Sequence, residues 1–229
     1  ARYVFHTHPL AILALTNQRN GDELIQKATG GKTIVIPYVM SGFPLALQIS
    51  RALKHNKDNN TIVVLKHGVF TFGDTAQDAY DSMIRVVANS EKFIRSTRKK
   101  LKTNPRKPSF KLENLAPVLR GALIPSSATE QRYILSFRDS PVIKNFLGFS
   151  NMSRLVKCGP VTPDHAIWTK PKALFLPSNC NSIEIVRAVK NYKRDYERYF
   201  EKNNRRYLGK KVMRDSLPRV IFVDGLGVF

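Results

Sequence analysis

Apolar and polar positions along the chain alternate between two periods, and the switches between them mark its elements. Residues 2 to 6 read as a short strand, after which Pro9 opens an Ala/Leu/Ile run to Leu15 that suits a helix with proline in its first turn. Residues 22 to 29 form a second short helix closed by Gly30 and Gly31, and Thr33 to Ile36 is a β-branched strand stopped by Pro37. Residues 44 to 54 return to helical spacing. Thr61 to Leu65 is almost wholly apolar, so this strand must be buried on both faces. Asp74 or Thr75 is placed to cap the next helix, where Ala76, Ala79, Tyr80, Met83, Val87 and Ile94 keep a core-facing spacing. Segments 111 to 121, 133 to 137 and 154 to 176 mix short helical and extended pieces, with a turn-rich loop over 158 to 165. A long helix over 182 to 206 carries Ile185, Val189, Tyr192, Tyr196 and Tyr199 on one side, and a strand over 219 to 223 ends the pattern.

At 229 residues with 42% apolar content, the chain has enough material for one substantial core. One domain over 1–229 is expected, with core motifs in 1–98, a basic linker over 99–110 and a C-terminal part over 111–229. No run approaches the roughly 18 apolar residues that cross a bilayer, and the N-terminus lacks a signal-peptide pattern. A cytoplasmic protein without membrane contact is expected. Cys158 and Cys180 form neither a disulfide framework nor a metal knuckle. The formal charge of +21 directs attention to nucleic acid or anionic partners. It resides mainly in two clusters, Lys92 to Lys111 and Arg187 to Lys211, which read more simply as solvated helix faces and a surface linker.

The candidate chemistry lies elsewhere. His6 and His8 are two apart at the end of the first strand, so both imidazoles point the same way. His67 emerges where the buried strand ends, and a third imidazole from a neighbouring strand would complete a three-histidine set. Three neutral nitrogens hold a divalent cation and leave coordination positions open, as a catalytic site requires. The alternative for the His-X-His pair is two hydrogen-bonded histidines at a strand end. Asp164 and His165, in a proline-bounded loop, are candidates to orient a substrate hydroxyl or share a proton, the alternative being a turn in which Asp164 caps the backbone. Gly225-Leu-Gly227 follows a strand but lacks the rest of a dinucleotide fingerprint and reads as a tight turn.

The blocks His6-Thr-His8-Pro-Leu-Ala11, Ile36-Pro37-Tyr38 with Gly42-Phe-Pro-Leu-Ala46, and Lys66-His67-Gly68-Val-Phe-Thr-Phe-Gly73 together resemble the class II aldolase/adducin-head family. The later pieces Ala116 to Ala122, Gly159 to His165 and Pro218 to Phe229 look like the aldolase part of bifunctional rhamnulose-1-phosphate aldolase/alcohol dehydrogenase-like proteins. The resemblance implies a three-layer α/β/α fold with a largely antiparallel central sheet. It also implies Zn2+, or another divalent cation, on His6, His8 and His67, and a homo-oligomer, often a tetramer. Tyr38 would be the aromatic group that a neighbouring subunit lends to the site. The family's catalytic glutamate and phosphate-binding loops lie upstream of His-X-His, so the chain is expected to be a fragment lacking its N-terminal part. The implied activity is that of a lyase cleaving a ketose 1-phosphate, such as rhamnulose 1-phosphate, to dihydroxyacetone phosphate and an aldehyde through a metal-stabilised enediolate. Alternatives on this scaffold are a sugar-phosphate epimerase or dehydratase, or a non-catalytic adducin-like head binding an acidic partner or RNA.

Overall fold

Consecutive β-branched residues with no polar interruption fit only the middle of a sheet, and Thr61–Val64 is buried at every position. A computed structural model of the chain describes residues 1–56, 59–98, 102–108, 110–124 and 132–229. The basic residues at 99 and 100, part of the linker expected over 99–110, lie outside the described residues. Two compact units emerge, one of Ala1–Lys100 with Val161–Ala166, the other of Leu101–Pro160 with Ile167–Phe229.

The first unit runs β1 (Tyr3–Thr7), α1 (Leu10–Thr16), α2 (Gly21–Thr29), β2 (Ile34–Ile36), α3 (Phe43–His55), β3 (Thr61–Val64), β4 (Gly68–Gly73) and α4 (Ala76–Thr97). Its strands lie in the order β1-β4-β3-β2. β4 pairs antiparallel with both β1 and β3, while β2 and β3 are parallel, so the sheet is largely antiparallel. On one face Ile12, Leu15, Ile25, Met83 and Val86 of α1, α2 and α4 pack on Val63 and Val69. On the other, Leu45, Ile49 and Leu53 of α3 pack on Ile36, Ile62, Val64 and Phe72. The sheet is thus sandwiched between helices, the three-layer α/β/α arrangement expected. α2 ends where Gly30 takes the left-handed conformation, φ 65°. α4 starts on a capping box in which the Thr75 hydroxyl accepts the Asp78 N–H and the Asp78 carboxylate accepts the Thr75 N–H.

The second unit holds α5 (Leu112–Ala122), α6 (Pro141–Leu147), α7 (Met152–Leu155), the end of α8 (Pro163–Thr169), β5 (Leu174–Leu176), α9 (Ser182–Asn204), β6 (Ile221–Val223) and β7 (Gly227–Val228). Its sheet has the order β5-β6-β7. Leu115 and Leu119 of α5 with Ile185 and Val189 of α9 cover Leu174, Leu176, Ile221 and Val223. Arg106, read from sequence as part of a solvated linker, in fact donates at 2.8 Å to the Asp224 carboxylate, which is only 2% exposed. Of the α9 tyrosines, Tyr192 donates to the Lys172 carbonyl and Tyr196 lies beneath the Lys170 ammonium at 4.1 Å. Both rings are therefore engaged inside the unit, and Tyr199 is the exposed one. Among the described residues no helix is long and apolar enough to cross a membrane.

Candidate metal centre

His6 stands opposite Phe70 in the β1–β4 register, and its ring lies flat on the phenyl at 3.9 Å between centroids, 6° from parallel. His8 follows two residues later, just past the strand, on the same side. His67 closes the hairpin between β3 and β4, where its N–H donates to the Val64 carbonyl at 3.1 Å and Lys66 turns the chain at φ 60°. These three segments bring the rings together, with centroids 4.7 Å apart for His6 and His8, 5.2 Å for His6 and His67, and 5.1 Å for His8 and His67. One nitrogen from each can be chosen so that all lie within 4.8 Å of one another. The spacing of two plus one histidines therefore converges on one point in space.

The proton assignments follow from the partners. The His6 Nδ1–H donates to the Val69 carbonyl at 3.0 Å, which leaves the lone pair of its Nε2 facing, and able to accept from, the His67 Nε2. The His8 Nδ1–H donates to Asp164 Oδ2 at 2.8 Å, and the His8 Nε2 is buried with no hydrogen-bond partner among the described residues. The His67 Nε2 lies 3.3 Å from the His6 Nε2. An orphaned buried nitrogen beside two others is costly unless something electrophilic satisfies it. Two of the rings also have their outer N–H fixed by a carbonyl and a carboxylate, the arrangement that holds metal-bound imidazoles in one tautomer. The residues present fit a divalent cation.

Electrostatics favour the same state. Burial is the main cause lowering the His6 pKa below 6.5, opposed by the Val69 hydrogen bond. Burial again leads for His67, reinforced by the charges that His6 and His8 would carry. The hydrogen bond from His8 holds the Asp164 carboxyl below the usual carboxylate range. Because both histidine values are depressed in the folded state, their contribution to stability is complete above the unfolded value of 6.5. It is lost as the pH falls from there through the folded values. Denaturant midpoints of the metal-free chain are expected to fall between about pH 8 and pH 5; a midpoint that is flat or rises across that interval would contradict the burial of neutral imidazoles.

The other sequence candidates separate. Asp164 reaches the site, but as the partner that orients His8. His165 does not join it: its Nδ1 and its backbone N–H both meet the Thr162 hydroxyl, so Thr162, and not Asp164, caps α8. Tyr38 is 57% exposed on the segment between β2 and α3 and is not among the residues lining the cleft beside the histidines. That cleft of about 740 Å³ is lined by His6 and His67 together with apolar residues such as Val4, Leu45, Ile49 and Phe70. Asp74 does not cap α4, whose cap is Thr75. Three contributors escaped the sequence reading, namely the Val69 carbonyl, the Phe70 ring and Gly68, where a Cβ would meet His8 Cδ2 and the Thr7 carbonyl oxygen at 2.6 Å. Asp164→Ala is expected to weaken cation binding about tenfold, the low end for such partners because this carboxylate is 61% exposed. Competition against a fluorescent chelator measures it, and unchanged affinity would remove Asp164 from the site.

Residues 1–91 match the class II aldolase and adducin N-terminal domain, and residues 111–229 match the second domain of class II aldolases. A Bacillus subtilis (strain 168) protein named as an uncharacterized oxidoreductase, YuxG, is 27% identical over 99% of the chain. The chain spans 34% of that relative's length. Among solved structures, the N-terminal class II aldolase domain of a conserved protein from Thermoplasma acidophilum is 41% identical, covering 40% of this chain and 41% of that one, with a TM-score of 0.36. A sugar-phosphate aldolase from Thermotoga maritima is 24% identical, covering 42% of this chain and 47% of that one, with a TM-score of 0.37.

Proposed function

The chain belongs to the class II aldolase and adducin family, and from that premise we propose that it is a metal-dependent lyase cleaving a ketose 1-phosphate, such as rhamnulose 1-phosphate, to dihydroxyacetone phosphate and an aldehyde. The observation that carries this reading is the convergence of three imidazoles, with the His8 Nε2 buried and unpartnered among the described residues.

His6, His8 and His67 would hold the cation, Zn2+ in this proposal. Bound there, it would supply Lewis acidity, drawing off the negative charge that develops beside the substrate carbonyl. Asp164 and the Val69 carbonyl keep His8 and His6 in the tautomers that present a lone pair. Phe70 closes one face of the His6 ring, which keeps water from that side and raises the strength of local electrostatics. In the cleavage, the hydroxyl proton leaves as the carbon–carbon bond breaks, and the electron pair stays on the carbon beside the carbonyl until that carbon is protonated. Tyr38, exposed and not among the residues lining the cleft, would lend its phenol to a neighbouring copy for one of these proton transfers.

The test is cleavage of rhamnulose 1-phosphate by the zinc-loaded chain, with dihydroxyacetone phosphate followed by its enzymatic reduction and zinc measured by plasma emission. About one zinc per chain and stoichiometric product are expected. Zinc-loaded chain that cleaves no ketose 1-phosphate would overturn the proposal.

A further inference from the structure

At the end of β3 opposite His67, a cavity of about 320 Å³ opens between the end of α2, the start of β3 and the outer side of α4. It is lined by Lys32, Thr33, Thr61, Ser82, Arg85 and Asn89, and no acidic side chain lines it among the described residues. Thr33, Thr61 and Ser82 are buried, an unusual density of hydroxyls for one corner of a small unit. Ser82 keeps a donor to spare. The Thr61 hydroxyl donates to Asn60 Oδ1, and Ser82 Oγ accepts from Asn60 Nδ2, so the hydroxyl hydrogen of Ser82 is not used in that bond. Lys32 and Arg85 form no ion pair among the described residues.

Helix C-termini repel anions, but here two carbonyls near the C-terminus of α2 are engaged inside the unit. The Gly31 N–H bonds the Gln26 carbonyl and the Thr29 hydroxyl bonds that of Ile25. Two cations without an ion pair, over a floor of hydroxyl and amide groups and with no competing carboxylate among the described residues, match a tetrahedral oxyanion, since a guanidinium fork and short hydroxyls satisfy several oxygens at once. The volume suits a phosphate carrying a short organic group.

We propose that this cavity is a phosphate site, separate from the histidine centre, that binds inorganic phosphate or a small phosphomonoester through Arg85, Lys32 and Ser82. It stands independently of the lyase reading.

Calorimetric titration of the full chain with inorganic phosphate and with glycerol 1-phosphate tests it. One saturable site per chain is expected, weakened at least about tenfold in Arg85→Gln and in Lys32→Gln, both exposed positions whose replacement leaves the core untouched. Tighter binding of glycerol 1-phosphate would identify an organic ligand, and equal binding would identify free phosphate. His67→Ala should retain the site. Loss of binding in His67→Ala would place the phosphate at the histidines and overturn the proposal. So would equal weakening in the surface pair Arg187→Gln/Lys190→Gln, which would mean that phosphate follows the overall charge. Wild-type affinity in Lys32→Gln/Arg85→Gln would do the same.

Discussion

His67→Ala is expected to strip the purified chain of its cation and to lower ketose 1-phosphate cleavage by about three orders of magnitude. The reasoning starts from charge. Breaking a carbon–carbon bond beside a carbonyl develops a negative charge, and a Lewis acid at that point is worth several kcal/mol. With two imidazoles the donor set no longer closes around the ion, and the His6 and His8 rings, their centroids 4.7 Å apart, are left without a third ligand. The fold should tolerate the change. The hairpin bond from the residue-67 N–H to the Val64 carbonyl is a backbone contact and survives, and removing a buried imidazole takes away a group whose protonation burial opposes. Zinc content, cleavage rate and thermal midpoint, measured on one preparation, separate the possibilities. Zinc and activity should fall together while the metal-free midpoint stays near that of the metal-free parent. Full zinc occupancy in His67→Ala would remove the ligand assignment.

How much of this was legible depended on sequence distance. The buried run Thr61–Val64 declared its place because four consecutive β-branched residues suit no solvent-facing position. The helices starting after Thr75 and Asn181 were legible through spacing, and both begin on capping boxes. Strand β4 was not: Gly68-Val-Phe-Thr-Phe-Gly73 reads as a motif rather than a strand, since glycine at both ends weakens the strand signal. Its pairing with β1 and β3 supplies what its composition does not. At the site, period-two alternation was enough to aim His6 and His8 together. Asp164, which orients His8, is separated from it by 156 residues, and no local pattern records such a partnership. Asp164 and His165, neighbours in a loop and read as a pair, hydrogen-bond to different partners, His8 and Thr162. Arg106 illustrates the same limit, as its value lies in a buried carboxylate 118 residues away.

Gly68→Ala should damage the centre through geometry alone, with all three histidines in place. A Cβ at this position would meet His8 Cδ2 and the Thr7 carbonyl oxygen at 2.6 Å and His6 Cε1 at 3.1 Å. The carbonyl belongs to strand backbone paired with β4, so it cannot swing aside as a side-chain tip can. Relief requires β1, an edge strand, to move outward from β4. That motion carries His6 and His8 away from His67, which is fixed to the hairpin. Overpacking of this kind costs about 1–3 kcal/mol, offset in small part by the reduced freedom of alanine in the unfolded chain. The larger effect is on the cation, because ligands displaced by about half an ångström lose the preorganisation on which affinity rests. A fall of about 100-fold or more is expected. Gly73→Ala is the control: its Cβ would meet the Ala79 nitrogen at 2.6 Å and the Thr75 oxygen at 2.7 Å, a comparable clash at the far end of the same strand. It should lower the thermal midpoint similarly and leave zinc affinity nearly intact. If the two variants bind zinc equally well, the close approach at Gly68 is ordinary strand packing and has no part in shaping the metal centre.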